Sequence, residues 1–420
     1  MRIGQIVIDV VPLRESRDFR WLFTGRLAAT VAAAVAAAAA NWQVYGLTHS
    51  SLAVGLVSLA DSAGMLVGLL AGGVLADHHD RRKLLAVVRV PQVLLAAGLV
   101  ANSLLGHPAL WPVYLLTLAL GLTDGLSSPA STAAVPALVG PRRLAAAAAL
   151  NSMSHQLANL GGPALAGALI AGPGLALCYG IGALGFTLSG VAVHFVRPLP
   201  PAPGGQRPGL RSLAEGFRYV RHHGVIGGML LIDTNAMIFG MPAGLFPALA
   251  TEHFHGGPAT FGLLTAAPAF GAIVGAAASG WTSHVRRPGI VVIGAGLIWG
   301  AAIVGFGLSG SLAAALAFLA LAGMSDLISE VLRNALLQHY TPDQLRGRVS
   351  SLYLAQVTSA PALGNTEAGA VAQLFSLTTS VVSGGLACVG GALLLGALIP
   401  AVRHATLRPL DEDVAAAGLR

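Results

Sequence analysis

The 420-residue sequence is poor in charge. Asp, Glu, Lys and Arg make up 10% of it, against about a quarter in soluble domains. It has two cysteines, Cys178 and Cys388, both inside apolar stretches. That excludes a disulfide scaffold and reads as two buried thiols. Its one lysine, Lys83, lies between Arg82 and Leu84. No Gly-Lys-Ser/Thr phosphate loop can be built from it, which excludes a nucleotide-driven pump. His-Glu-x-x-His and Gly-x-Ser-x-Gly are both missing, so an intramembrane metalloprotease and a serine hydrolase are excluded. The pairs His78-His79 and His222-His223 are adjacent residues and not ligand sets. No enzyme activity, metal or cofactor is expected. Residues 1–12 lack a basic stretch followed by an apolar run and a cleavage site, so no cleaved signal peptide is expected.

What is abundant is apolar. Hydrophobic residues make up 55% of the chain, and mean hydropathy is +0.74. At about 20 residues per span, twelve spans take roughly 240–290 residues and leave room only for short loops. The apolar runs place spans near 20–45, 52–76, 84–105, 109–130, 143–170, 174–196, 224–250, 258–282, 289–309, 312–333, 348–371 and 378–402. Alternating strands are missing, which excludes an outer-membrane barrel. The 54 glycines suit helices that pack closely in lipid. The fold class is therefore all-α, a polytopic membrane protein of twelve transmembrane helices.

The basic residues set the orientation. Of 24 Lys and Arg, 22 (Arg89 among them) are assigned to the termini or to loops after even-numbered spans. Arg26 and Arg333 fall inside spans. By the positive-inside rule both termini are cytoplasmic. The net charge of +7 is then a topology signal beside anionic lipid, and no nucleic-acid partner is expected. The longest break, 197–223, carries Pro198, Pro200, Pro201, Pro203 and Pro208, then a basic helix-like stretch. It divides a six-helix bundle at 1–196 from a second at 224–420, which ends in a short tail. Parallel repeats have this arrangement.

Six acids fall within spans: Asp61, Asp124, Asp233, Asp326, Glu330 and Glu367. Each costs about 2.5–3.5 kcal/mol at a helix centre, so each should face a partner or a wet cavity. Asp61, Asp124 and Asp233 lie well inside and are candidates for proton coupling or substrate contact. A structural hydrogen bond is the other reading of each. Asp326, Glu330 and Arg333 share one helix face and read as an intrahelical ion-pair ladder. Glu367 lies near the far end of its span. Arg26 can snorkel, pair with an acid, or meet an anionic cargo. His155, on a polar stripe with Asn151, Ser154 and Asn159, is either a proton relay or a satisfied core residue. Trp42, Trp111, Trp281 and Trp299 read as an interfacial belt.

Gly73-Val74-Leu75-Ala76-Asp77 through Arg81-Arg82 resembles the loop signature Gly-x-Leu-x-Asp-Arg-x-Gly-Arg-Arg of the major facilitator superfamily. Gly73, Leu75, Asp77, Arg81 and Arg82 match, while His78 and Asp80 depart. The resemblance implies a conformational latch between two six-helix bundles, with Asp77 acting near a helix N-terminus. Gly162-Pro163 and Gly167 are similar to a Gly-Pro stretch of proton-coupled exporters in that superfamily, with Ala166 replacing a glycine. Close packing is the other reading of that stretch. Gly121 stands where many drug–proton antiporters have arginine. Short stretches kept in order, from Thr48-His49-Ser50 through Asp124-Gly125 and Gly216-Phe217-Arg218 to Thr341-Pro342, look like the enterobactin (siderophore) exporter group. This implies proton-coupled export of a catecholate-type siderophore across a bacterial inner membrane by a monomer. Spans one, four, seven and ten would line the path, bringing Asp124, Asp233 and Asp326 near it. The implied partners are a small-molecule substrate, protons and the lipid bilayer. A lipophilic-drug exporter, an uncoupled facilitator and a membrane sensor are the alternatives.

Overall fold

In lipid every backbone N–H and C=O must be satisfied within its own segment, so long apolar runs become helices. The computed structural model describes residues 10–200 and 210–407. Expectations resting on Arg2, Pro201, Pro203, Arg207, Pro208, Arg408, Arg420 and the two termini lie outside the described residues. Twelve long helices and no strand occur among those described. The first six are α1 (Arg17–Thr48), α2 (Ser51–His78), α3 (Arg81–Ser103), α4 (Leu110–Val139), α5 (Leu144–Ala171) and α6 (Leu175–His194). After a linker helix, Leu210–His222, follow α7 (Gly224–Phe239), α8 (Pro258–Ala278), α9 (Pro288–Leu308), α10 (Leu312–Tyr340), α11 (Arg346–Leu374) and α12 (Leu377–Leu398). Serines start four of them. The side chains of Ser16, Ser50, Ser311 and Ser376 accept the N–H three residues on, satisfying one orphan donor each.

Ten segments are long and apolar enough to cross a membrane. The two long helices outside that set, α5 and α11, hold equivalent places in the two halves. They are more polar, with Ser154, His155, Gln156 and Asn159 on one and Gln356, Thr358, Asn365 and Thr366 on the other. These are the helices at which the halves meet. Helices α1–α6 pack among themselves, as do α7–α12, and the halves join along two seams, α2 with α11 and α5 with α8.

The sequence reading has one continuous seventh span, 224–250. The structure breaks it. Phe239 ends α7, and a 3₁₀ turn (Pro242–Leu245), one α turn and a π turn (Leu249–His253) follow. Pro242 and Pro247 cannot donate to a helical ladder. The freed groups find side chains. Gly244 N–H donates to Asn365 Oδ1 at 2.8 Å, and Trp299 Nε1 donates to Gly240 O at 3.0 Å. Trp299 is thus buried inside the second half and does not belong to an interfacial belt.

Glycine sets the tightest contacts. Gly64, Gly68 and Gly72 recur every fourth residue along α2 and lie on the backbone of α4, where Gly121 and Gly125 answer them. A Cβ at Gly121 would sit 2.1 Å from Asp61 O. No arginine could occupy that place, which accounts for its departure from the drug-antiporter pattern. The second half repeats the device on α8 and α10. A Cβ at Gly271 would sit 1.8 Å from Ala320 O, and one at Gly323 would sit 1.9 Å from Pro268 O. Gly121-x-x-Asp124 and Gly323-x-x-Asp326 therefore hold matching places in α4 and α10. Small residues let helices approach closely enough for dispersion and weak backbone contacts to hold them in lipid.

The seams are closed at one end only. Thr366 Oγ1 donates to Gly55 O (3.2 Å), Asn365 Nδ2 to Ser58 Oγ (3.4 Å) and Ser62 Oγ to Thr358 O (3.0 Å). Tyr45 OH donates to Glu252, Trp42 stacks near Phe261, and Gly167 packs on Gly262. Among the described residues, the hydrogen bonds between halves lie between mid-helix and the end poor in Lys and Arg. At the basic end Arg143 pairs with Glu15 within the first half (3.0 Å), and Arg348 of α11 pairs with Glu215 of the linker helix (2.8 Å).

Gly271→Ala is expected to lower stability by about 1–3 kcal/mol, the usual cost of overpacking, seen as an earlier thermal transition in detergent. Gly161→Ala, where a Cβ meets nothing within 4 Å, should leave the transition in place. Equal transitions for the two variants would contradict glycine-set packing.

Candidate functional site

Helices α1 to α5 bring one group of candidates together. Arg26 Nη2 lies 3.3 Å from His155 Nε2. Asp124 on α4 is within electrostatic reach of Arg26, His155 and Arg89, and Asp61 on α2 is within reach of Asp124. Asp61 and Asp124 line a cavity of about 240 Å³ together with Gln92, Thr117 and Asn159. Its other walls are alanines of α1 with Leu99 and Leu120.

Arg89 is a correction. Counted as a loop residue by the positive-inside reading, it lies well inside α3 and is 6% exposed. Its Nη1 donates to Gln92 Oε1 at 2.5 Å. The available signal was Arg89-x-x-Gln92, two polar residues at helical spacing in an apolar run.

In the second half the expected ladder along α10 forms only between Asp326 and Arg333. Arg333 reaches across to α7, where its Nη2 stands 2.9 Å from Asp233 Oδ1. Asp326 on its own helix is farther, at 3.6 Å. Arg333 Nη1 donates to Ser329 Oγ (2.8 Å), and Gln356 Nε2 of α11 donates to Asp233 Oδ2 (2.9 Å). The reason is burial. The Asp233 side chain is 0% exposed and that of Arg333 7%, and an unpaired charge at that depth costs more than any surface pair could return. Glu330 has no ion pair among the described residues.

A larger cavity of about 490 Å³ lies between the halves. Asn41, Gln156 and Asn159 of the first half face Phe246, Thr265 and Trp299 of the second across it. Asp326 and Glu330 form its charged wall. It runs from Asn41 and Met241, near the closed end, toward Gln156, Ala272 and Glu330 on the basic side. Arg26 and Asp233 are off this wall, so of the three path residues expected on α4, α7 and α10 only Asp326 faces the large cavity, while Asp124 faces the smaller one.

The loop after α2 also differs from expectation. Gly73 and Asp77 lie in the last turns of α2, so Asp77 sits at a helix C-terminus. Asp80 takes the N-cap of α3, its Oδ1 accepting from Arg82 N (2.9 Å) and Leu199 N (3.2 Å). Arg81 Nη1 donates to Ala133 O (3.2 Å) and Arg82 Nη2 to His194 O (2.6 Å). These partners belong to the first half or, for Leu199, to the start of the linker. Among the described residues, no ion pair carries this loop across to the second half, as an open basic end requires. The span-five stretch makes close contacts. Gly162 lies on Ala34 of α1, Gly167 on Pro258 and Gly262 of α8, and Pro163 lines the large cavity.

The sequence profile of a family of transmembrane secretion effectors matches residues 9–417. The enterobactin exporter of Citrobacter koseri is 35% identical over 391 residues, which is 93% of this chain and 94% of the relative. That of Shigella boydii serotype 18 is 33% identical over 393 residues, 94% and 93% of the two chains. A POT family transporter solved with 5-aminolevulinic acid superposes with a TM-score of 0.75 at 14% identity, covering 92% of this chain and 97% of that one. A human organic anion transporter superposes at 0.67 and 16% identity, covering 90% and 99%. At such identities the two structures speak to the fold alone.

Arg333→Gln and Asp233→Asn should each destabilise the protein by about 3–5 kcal/mol, since each leaves a buried charge without its partner. The double variant should recover part of that loss in a thermal-unfolding cycle. Strictly additive losses would contradict the pairing.

Proposed function

Because the chain belongs to the transmembrane secretion effector family of the major facilitator superfamily, a family of membrane transporters, we propose that it exports a small molecule by proton-coupled alternating access. The cargo is a catecholate-type siderophore. The observation that carries this reading is the cavity between the halves, with the hydrogen bonds that join the halves lying on its side poor in Lys and Arg. The concentration of Arg and Lys marks the basic end as cytoplasmic. An exporter must load from that side, and this is the loading state. The membrane is then the bacterial cytoplasmic membrane.

The cavity suits such a cargo. Its volume lies within the range of about 300–1,000 Å³ usual for small-molecule sites. Phe246 and Trp299 offer ring faces, and Asn41, Gln156, Asn159, Asp326 and Glu330 offer acceptors for phenolic hydroxyls. The cavity is complete within one chain, which supports a monomer. Carboxyl groups in both cavities supply what proton coupling requires, a group that loads and releases a proton inside the membrane. The exporter relatives at 33–35% identity support the direction and the cargo class.

Inside-out vesicles carrying the protein should accumulate a labelled catecholate siderophore when a proton gradient is imposed, and an uncoupler should abolish it. Accumulation that survives the uncoupler would overturn coupling. No accumulation by folded protein, with uptake of a lipophilic drug instead, would overturn the cargo.

A further inference from the structure

Charge within the membrane is offset differently in the two halves. In α1–α5 the carboxyl group of Asp124 lies within reach of the guanidiniums of Arg26 and Arg89, while Asp61 has Asp124 as its charged neighbour. In α7–α12 Asp233, Asp326 and Glu330 share the single guanidinium of Arg333. Fully ionised, that set carries two negative charges. The elements packed around it add no cation. Tyr353 and Gln356 face it from α11, Ser329 lies on α10, Trp299 comes from α9, and Gln156 and Asn159 stand across the cavity on α5. Excess negative charge held away from bulk water is costly and draws positive charge to it.

A second observation points the same way. Asp233 Oδ1 is wholly buried and receives no hydrogen bond, although Arg333 Nη2 stands 2.9 Å from it. The guanidinium is placed as a counter-charge without an N–H aimed at that oxygen. It is shared with Asp326, and Glu330 stands on the cavity wall with no ion pair among the described residues.

We infer that Asp326 and Glu330 are the proton-binding pair of the coupling step, and that Asp124, within reach of both Arg26 and Arg89, stays ionised through the cycle. This rests on the proton-driven reading above and selects one of its two acidic regions. Each carboxylate accepts a proton from hydronium when the cavity opens at the end poor in Lys and Arg, one O–H bond of the hydronium breaking as the carboxyl O–H forms and a water molecule being left, and gives that proton to water at the basic end. Two protons leave Asp233 against Arg333, one charge against one. Releasing them restores the anionic wall that hydroxyl groups of the cargo then meet.

The test is infrared spectroscopy of the full-length protein in lipid nanodiscs, without cargo, titrated from mildly acidic to mildly alkaline buffer. Wild type should show a protonated-carboxyl band that titrates across this range. Asp326→Asn and Glu330→Gln should each remove part of it, and the double variant all of it. Asp61→Asn and Asp124→Asn should leave it unchanged. A band that survives the double variant, or vanishes in Asp61→Asn, overturns the assignment, as does its absence from wild type. A pH-indicator assay on wild type adds a readout that needs no variant: the catecholate siderophore should release protons on binding. Because the titration uses no cargo, failed vesicle uptake with the expected band would count against the exporter reading and leave the proton site standing.

Discussion

No charge and no backbone polar group can be left to lipid, and the arrangement of the chain follows from that constraint. It makes every long segment a helix. It sends Arg333 away from its own helix to Asp233. It recruits Asn365 and Trp299 to the backbone that the proline-interrupted seventh segment exposes. Where the constraint is met by a pair inside one half, as at Arg89 and Gln92, the result is rigidity. Where it is met only in part, as at Asp326 and Glu330, the result is an acidic wall on the large cavity.

Glycine supplies the other requirement, which is movement of rigid bodies. Within each half the α2–α4 and α8–α10 contacts bring backbones nearly into touch, so each half moves as a unit. Between halves the seams carry few hydrogen bonds, and those lie toward one end. Packed interfaces have discrete arrangements, and a rocking motion exchanges one closed end for the other. The broken segment after α7 matters here because Glu252, which meets Tyr45 of α1 across the closed end, lies on its π turn.

The spans and the all-helical class were legible because hydropathy and length report directly on burial in lipid. The resemblance to the superfamily was legible in the loop from Gly73 to Arg82. What escaped was pairing between helices. Asp326, Glu330 and Arg333 are correctly placed on one face by their spacing, but spacing within a helix says nothing about Asp233 on another. Arg89 was counted with the loops although the third span, 84–105, already contained it, and its burial beside Gln92 shows which of the two readings holds. Asp77 and Asp80 exchanged roles because the helix boundary fell three residues later than the motif suggests. The matching Gly121-x-x-Asp124 and Gly323-x-x-Asp326 stand in the letters of the two halves, but so short a match means nothing until the helix packing shows both glycines lying on a neighbouring backbone.

The most direct test of alternating access about this cavity is a pair of distance measurements between spin labels on the full-length protein. One pair, at His79 and Arg286, reports on the basic end. The other, at His49 and Thr378, reports on the opposite end. Adding cargo in mildly alkaline buffer should shorten the first distance and lengthen the second, starting from an open basic end in the empty protein. If both distances stay fixed, or change in the same direction, the two halves do not rock about the central cavity and the account fails.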